Sequence, residues 1–243
     1  MALQSRLIVD IIDNSVEGGR LIMKIRNCYV ECGEFAEFKP ILKAWCKVNK
    51  IYMNKSGKDC PWRYNERALI SLLAAAAWTS GYPAIEEFTI FKGRRKDKTH
   101  GPGRCDLKIQ IDGKNYLFEI KKSRPHLGKK PGEDDIKKVV DRNMLGCLQE
   151  ACRDAGKLKP KTGKRFGLCF IAPVIPETEE NKLVEKLNVL IARLKKKERE
   201  YDLLSWFFAT DMDSVRFNGK IYPGVFLLAK ETKKYQRSNS KRH

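Results

Sequence analysis

Between residues 101 and 124 the chain reads GPGRCDLKIQIDGKNYLFEIKKSR, a stretch with few ways to fold. Asp112-Gly113 predicts a two-residue type I′ hairpin turn, because both central positions of that turn need φ > 0. The turn sets Ile111 against Lys114, and counting back from it sets Asp106 against Glu119. Alternation gives the same register independently. Leu107, Ile109 and Ile111 share one face of the first strand, and Tyr116, Phe118 and Ile120 share the matching face of the second. The other face collects Asp106, Lys108, Gln110, Glu119 and Lys121. Opposed side chains in such a pair have Cβ atoms about 5 Å apart. Two carboxylates placed so repel, and one divalent cation with Lys121 beside it would neutralise them.

The flanking sequence supplies the layers such a hairpin needs. Residues 59–80 predict a helix with Pro61 in its first turn, Gly81 closing it, and Leu69, Ile70, Leu73 and Ala77 as its apolar stripe. Glu66 lies in line with that stripe. A carboxylate facing a core costs free energy unless it is paired or coordinates a metal, the alternative here being a pair with Arg63 or Arg67. A strand follows at 83–93, with Glu86 and Glu87 as rivals to Glu66 for an extra acid. Residues 133–155 predict a second helix through Ile136, Val139, Val140, Met144, Cys147, Leu148 and Ala151. RFGLCFIAPVI then predicts a strand buried on both sides. A helix at 177–199 and strands at 202–210 and 223–230 complete the pattern. The first 50 residues suggest short strands, or a strand and a helix, around Gly18-Gly19 and a helix near Pro40.

The fold expected is therefore α/β, a mixed β-sheet flanked by helices on both faces. Residues 1–58 form an accessory segment, 59–231 the core, and 232–243 a basic tail without fixed structure. No internal repeat is present.

With 49 Lys+Arg against 30 Asp+Glu, the formal charge is +19. A field of that sign favours polyanions, nucleic acid before an anionic membrane surface. No apolar run reaches the ~18 residues of a spanning helix, and the N-terminus lacks a signal-peptide core, so an intracellular, cytoplasmic setting is expected. No helix combines strong basicity and amphipathicity with exposed aromatics, which argues against membrane-surface binding. Eight scattered cysteines fit reduced thiols. Cys28, Cys32, Cys46 and Cys60 have four-ligand potential for zinc, but their spacings match no paired CxxC pattern. Cys105 and Cys169 read as core.

Asp106, then Glu119-Ile120-Lys121 on the next strand, with Glu66 on the preceding helix, resembles the PD-(D/E)xK nuclease superfamily. Its members include type II restriction endonucleases, Holliday junction resolvases and recombination nucleases. The resemblance covers roughly residues 59–175 and departs from the pattern at Cys105, where the superfamily often has Pro. It implies a restriction endonuclease-like core and a Mg²⁺ ion, for which Mn²⁺ substitutes, held by Asp106, Glu119 and the Ile120 backbone carbonyl. Lys121 would orient or deprotonate the attacking water, or stabilise the transition state. Glu66 would bind a second metal or a metal-bound water. Gln149, a candidate for the helix glutamine of some branches, points away from the apolar stripe.

The loop GRRKDKTHGPG is basic and Gly-rich, placing Arg94, Arg95, Lys96 and Lys98 at a phosphate backbone. Arg104, Lys122 and Arg124 join them as expected nucleic-acid contacts, while His100 alone carries little weight as a base. The function expected is a Mg²⁺-dependent DNA endonuclease acting on double-stranded DNA, most like a type II restriction enzyme, and a homodimer. The alternatives are a structure-specific (junction, recombination or repair) or RNA-directed nuclease, and a nucleic-acid-binding module without catalysis.

Overall fold

The computed structural model describes residues 12–17, 20–25, 28–57, 59–93, 100–128, 133–209 and 215–232. Arg94, Arg95, Lys96 and Lys98, and the tail from 233 onward, lie outside these residues. A two-stranded antiparallel ribbon, β1 (Ile12–Glu17) and β2 (Arg20–Ile25), comes first. The main sheet draws on β3 (Cys28–Glu31), β4 (Ala84–Gly93), β5 (His100–Ile111), β6 (Lys114–Ser123) and β7 (Lys164–Ile171). After a short β8 (Ile175–Pro176) it takes β9 (Leu203–Phe208), and after β10 (Arg216–Phe217) and β11 (Lys220–Ile221) it takes β12 (Gly224–Glu231). The strand order is β3-β9-β12-β7-β6-β5-β4. Within it β6 and β7 pair in parallel and the other neighbours antiparallel, so the sheet is mixed.

Helices cover both faces. α1 (Lys39–Lys55) and α2 (Glu66–Thr79) pack on one, burying Ile41, Leu42, Trp45, Leu69 and Leu73 against Phe118, Phe166 and Phe170. On the other lie α3 (Glu133–Lys138), which runs through a π-helical stretch (Val139–Leu145) into α4 (Gly146–Ala155), and α5 (Leu183–Lys195). Ile136, Met144, Leu148, Leu187 and Leu190 are buried there with Trp206 and Phe226. Gly167 lets α4 lie close on β7, since a Cβ there would stand 2.3 Å from the Cys152 backbone nitrogen.

Several expectations need correction. The helix expected from residue 59 starts at Glu66, because Asn65 is extended and caps it, its side chain accepting from the Ala68 amide at 3.1 Å. Pro61–Arg63 is a separate 3₁₀ turn, anchored by Trp62 Nε1 donating to the Tyr222 carbonyl at 2.8 Å. In residues 28–55, β3 pairs with β9 and α1 buries its face in the main core. The cysteines are not all free thiols. Cys28 is bonded to Cys46 and Cys147 to Cys169, which also breaks up the four-cysteine set considered for zinc. Among the described residues no helix is long and apolar enough to cross a membrane.

The hairpin forms as its turn chemistry dictates. Asp112 and Gly113 have φ of 48° and 75°, and the register runs from Ile111↔Lys114 to Leu107↔Phe118. Beyond that point the alternation fails. Leu107 and Ile109 face the α1/α2 core, whereas Cys105 is buried on the opposite face with Leu117 and Leu158. β4 reverses at the same level. Ala84 faces the α1/α2 core and Phe88 the other side, with Glu87 between them at φ 51°. The sheet is irregular at one place, and that place is Asp106.

Candidate active site

Four elements converge at the irregularity: β5 brings Asp106, β6 brings Glu119 and Lys121, the N-terminus of α2 brings Glu66, and the end of α4 brings Asp154. The expected direct opposition of Asp106 and Glu119 is modified. The ladder runs to Leu107↔Phe118, and beyond it the Asp106 carboxylate accepts the Ile120 backbone N–H at 2.6 Å. One of its oxygens thus takes a hydrogen bond that the strand would otherwise supply, and ties Asp106 to the Glu119-Ile120-Lys121 segment. Ile120 itself is fully buried, its side chain in the α1/α2 core.

Glu119 is the most confined acid of the group, with 4% of its surface exposed. Lys92 Nζ lies 2.7 Å from its Oε1, an ion pair that reaches this buried oxygen. Burial pushes the Glu119 carboxyl up to about 7, with Asp106 and Asp154 adding to the rise against the pull of Lys92. Burial likewise raises Asp106, against the Ile120 hydrogen bond and Lys121. It raises Glu66 too, where Lys121 opposes and Asp106 reinforces the shift. Glu66, Asp106 and Glu119 are thus three acids, linked by their mutual influence, whose charged forms are disfavoured by their setting.

Lys121 behaves in the opposite way. Burial works against its charge, yet Asp154, Glu66 and Asp106 outweigh it and raise its pKa. Its Nζ is 3.3 Å from Asp154 Oδ2, and Lys157 bonds the other oxygen of Asp154 at 2.5 Å. Lys92 and Asp154 are the members of this site that sequence reasoning missed. Neither stands in a short motif with Glu119, and only the packing of β4 and α4 brings them in.

The expected nucleic-acid contacts divide. Lys122 Nζ donates to the Trp62 carbonyl at 2.7 Å and also to the Tyr64 carbonyl. Arg124 donates to the carbonyls of Arg63 and Tyr64. Both side chains therefore staple β6 to the turn before α2, which fixes the level at which Glu66 enters the site. Burial lowers the Lys122 pKa to about 8, with Arg124 adding. Arg104 pairs with Glu87 at 2.8 Å and keeps most of its side chain exposed. The rivals to Glu66 are turned to other partners: Glu86 accepts from the Ser71 hydroxyl at 3.1 Å, and Glu87 meets Arg104 and Arg67. His100 pairs through its backbone with Gly93.

Among the described residues no group of three or more His, Cys, Asp or Glu side chains is arranged as a metal cage. The donors at Asp106 and Glu119 are nonetheless of the type a hard divalent cation takes, and Mg²⁺ is commonly held by one or two carboxylates with waters completing its shell. The buried Glu119 carboxyl is the feature that fits such an ion, because a cation beside it would favour the charged form and bring its raised pKa back down.

A scan against protein-family models, a search of curated proteins and a search of solved structures each returned no match.

Proposed function

We propose that this protein is a divalent-cation-dependent DNA endonuclease whose site is of the PD-(D/E)xK kind. The observation that carries this reading is the buried Glu119 carboxyl, with Asp106 tied to the same segment through the Ile120 N–H and Lys121 two residues on. Asp106 and Glu119 would hold Mg²⁺ or Mn²⁺, and the ion supplies charge neutralisation at the scissile phosphate and hydroxide near neutral pH. Lys121 is kept as an ammonium by Asp154 and its other acidic neighbours. That supports transition-state charge stabilisation as its role rather than proton abstraction. Glu66, half-buried at the first turn of α2, would bind a second ion or an ion-bound water. The formal charge of +19 supports a polyanionic substrate. Arg104, mostly exposed though paired with Glu87, would meet its backbone. Cutting both strands of a duplex would require two copies of the chain, hence a homodimer.

The test is cleavage of supercoiled plasmid DNA by the purified protein with Mg²⁺, beside Lys121→Ala. The expected result is nicked or linear DNA from the wild type and a loss of about 10³-fold in rate in the variant with its circular dichroism intact. Full activity in the variant contradicts the role given to Lys121.

A further inference from the structure

Lys92 reaches Glu119 from two strands away. Neighbouring strands lie about 4.8 Å apart, so roughly 10 Å of sheet separates β4 from β6. The lysine stem crosses because β5 offers it a glycine: a Cβ at Gly103 would stand 2.8 Å from Lys92 Cδ and 3.0 Å from its Cγ. Gly103 is not at positive φ, so its role here is to leave room. The backbone of Lys92 is held from the other side by the segment after α4. Gly93 N–H donates to the Lys157 carbonyl at 2.8 Å, Lys159 N–H to the Phe91 carbonyl at 2.9 Å, and Lys92 bridges to Leu158. A clamped backbone and a cleared path deliver the ammonium to Glu119 Oε1 at 2.7 Å.

The two lysines of the site are therefore held by different partners. Lys121 is tied to Asp154, whereas Lys92 is tied to the oxygen that a cation would need. We propose that Lys92 is a positioning residue, the resident counter-ion of Glu119, and that it yields this oxygen when a divalent cation binds. Cation binding and release of the Lys92 ammonium into the site are then one coupled event, and each weakens the other's hold on Glu119 by the same factor. This rests on the reading of Asp106 and Glu119 as cation ligands.

The experiment is Mn²⁺ binding by isothermal titration calorimetry on the full chain, comparing wild type, Lys92→Gln, Lys92→Arg and Gly103→Ala, each checked for fold by circular dichroism. Lys92→Gln removes the competing charge and should tighten Mn²⁺ binding about tenfold, about 1.4 kcal/mol. Gly103→Ala obstructs the lysine stem without changing any charge and should tighten it in the same direction by several-fold, while Lys92→Arg should not tighten it. As a check that needs no variant, an amine-labelling reagent read by mass spectrometry should modify Lys92 faster with Mn²⁺ present and leave Lys121 unchanged. Unchanged or weaker Mn²⁺ binding in whichever of Lys92→Gln and Gly103→Ala folds, with a wild type that binds, overturns the proposal and leaves the nuclease reading standing. Equal labelling of Lys92 with and without Mn²⁺ overturns it as well. If neither wild type nor variants bind Mn²⁺, both readings fall and Lys92 is a structural ion pair.

Discussion

Among the described residues two buried glutamates form pairs with lysine, and they are built on opposite terms. Glu179 meets Lys186 at 3.4 Å and Lys182 at 3.3 Å. Lys186 has 3% of its surface exposed and also donates to the Gly128 carbonyl at 2.8 Å and the Leu127 carbonyl at 3.4 Å. Burial works against the Glu179 charge, but Lys182 and Lys186 prevail and hold its carboxyl below the usual range. Around Glu119 the balance is reversed. One lysine faces it and two further acids press on it. The first pair is a closed unit that fixes the end of the 124–128 segment on α5. The second has surplus negative charge, a defect for stability alone that becomes useful if a cation completes it.

That difference is open to measurement, and its largest expected consequence is in pH dependence. Because the folded-state pKa of Glu119 is raised from 4.5 to about 7, the fold favours its protonated form. The resulting stability is present below pH 4.5 and lost as pH rises through about 7, up to about 3 kcal/mol from this group. Asp106 and Glu66, also raised, act in the same direction. Denaturant unfolding in EDTA at pH 4.5 and 7.5 should show the loss, and Glu119→Gln should reduce it. An equal loss in that variant would remove Glu119 as its source.

The closed pair should respond to truncation instead. Lys186→Met leaves two carbonyls without their donor and Glu179 with one lysine, at a cost of about 2 kcal/mol in denaturant unfolding. Lys182 has about half of its side chain exposed, so Lys182→Met should stay within about 0.5 kcal/mol of wild type. Equal effects of the two substitutions would mean that burial is not what sets the strength of this pair.

How much of this was legible in the sequence follows from the range of the interactions. The Asp112-Gly113 turn is local chemistry, so the strand pairing as far as Leu107↔Phe118 could be derived from it. The buried β7 and the amphipathic helices were legible from periodicity for the same reason. Alternation fails as a guide at Asp106, because the kinks of β4 at Glu87 and β5 beside it turn Phe88 and Cys105 to the opposite face. No composition signal marked that reversal. Pro61 was misleading because its turn is separate from the helix, and the Asn65 cap, an ordinary start signal, marked the true boundary. Lys122 and Arg124 looked like phosphate contacts because charge on a strand end says nothing of a carbonyl cluster brought up from residues 62–64. Lys92 and Asp154 depend on tertiary packing alone. In hindsight Gly103 was a trace of Lys92, a residue kept small under a side chain that must cross it.

The central claim is that the acid-crowded pair does chemistry and the closed pair only holds structure. Plasmid cleavage rates with Mg²⁺, measured side by side for wild type, Glu119→Gln and Glu179→Gln, test it most directly. The prediction is a cleaving wild type, a loss of about 10³-fold in Glu119→Gln, and a rate within about threefold of wild type in a folded Glu179→Gln. A Glu119→Gln variant that cleaves as fast as wild type, or a wild type without metal-dependent cleavage, would contradict it.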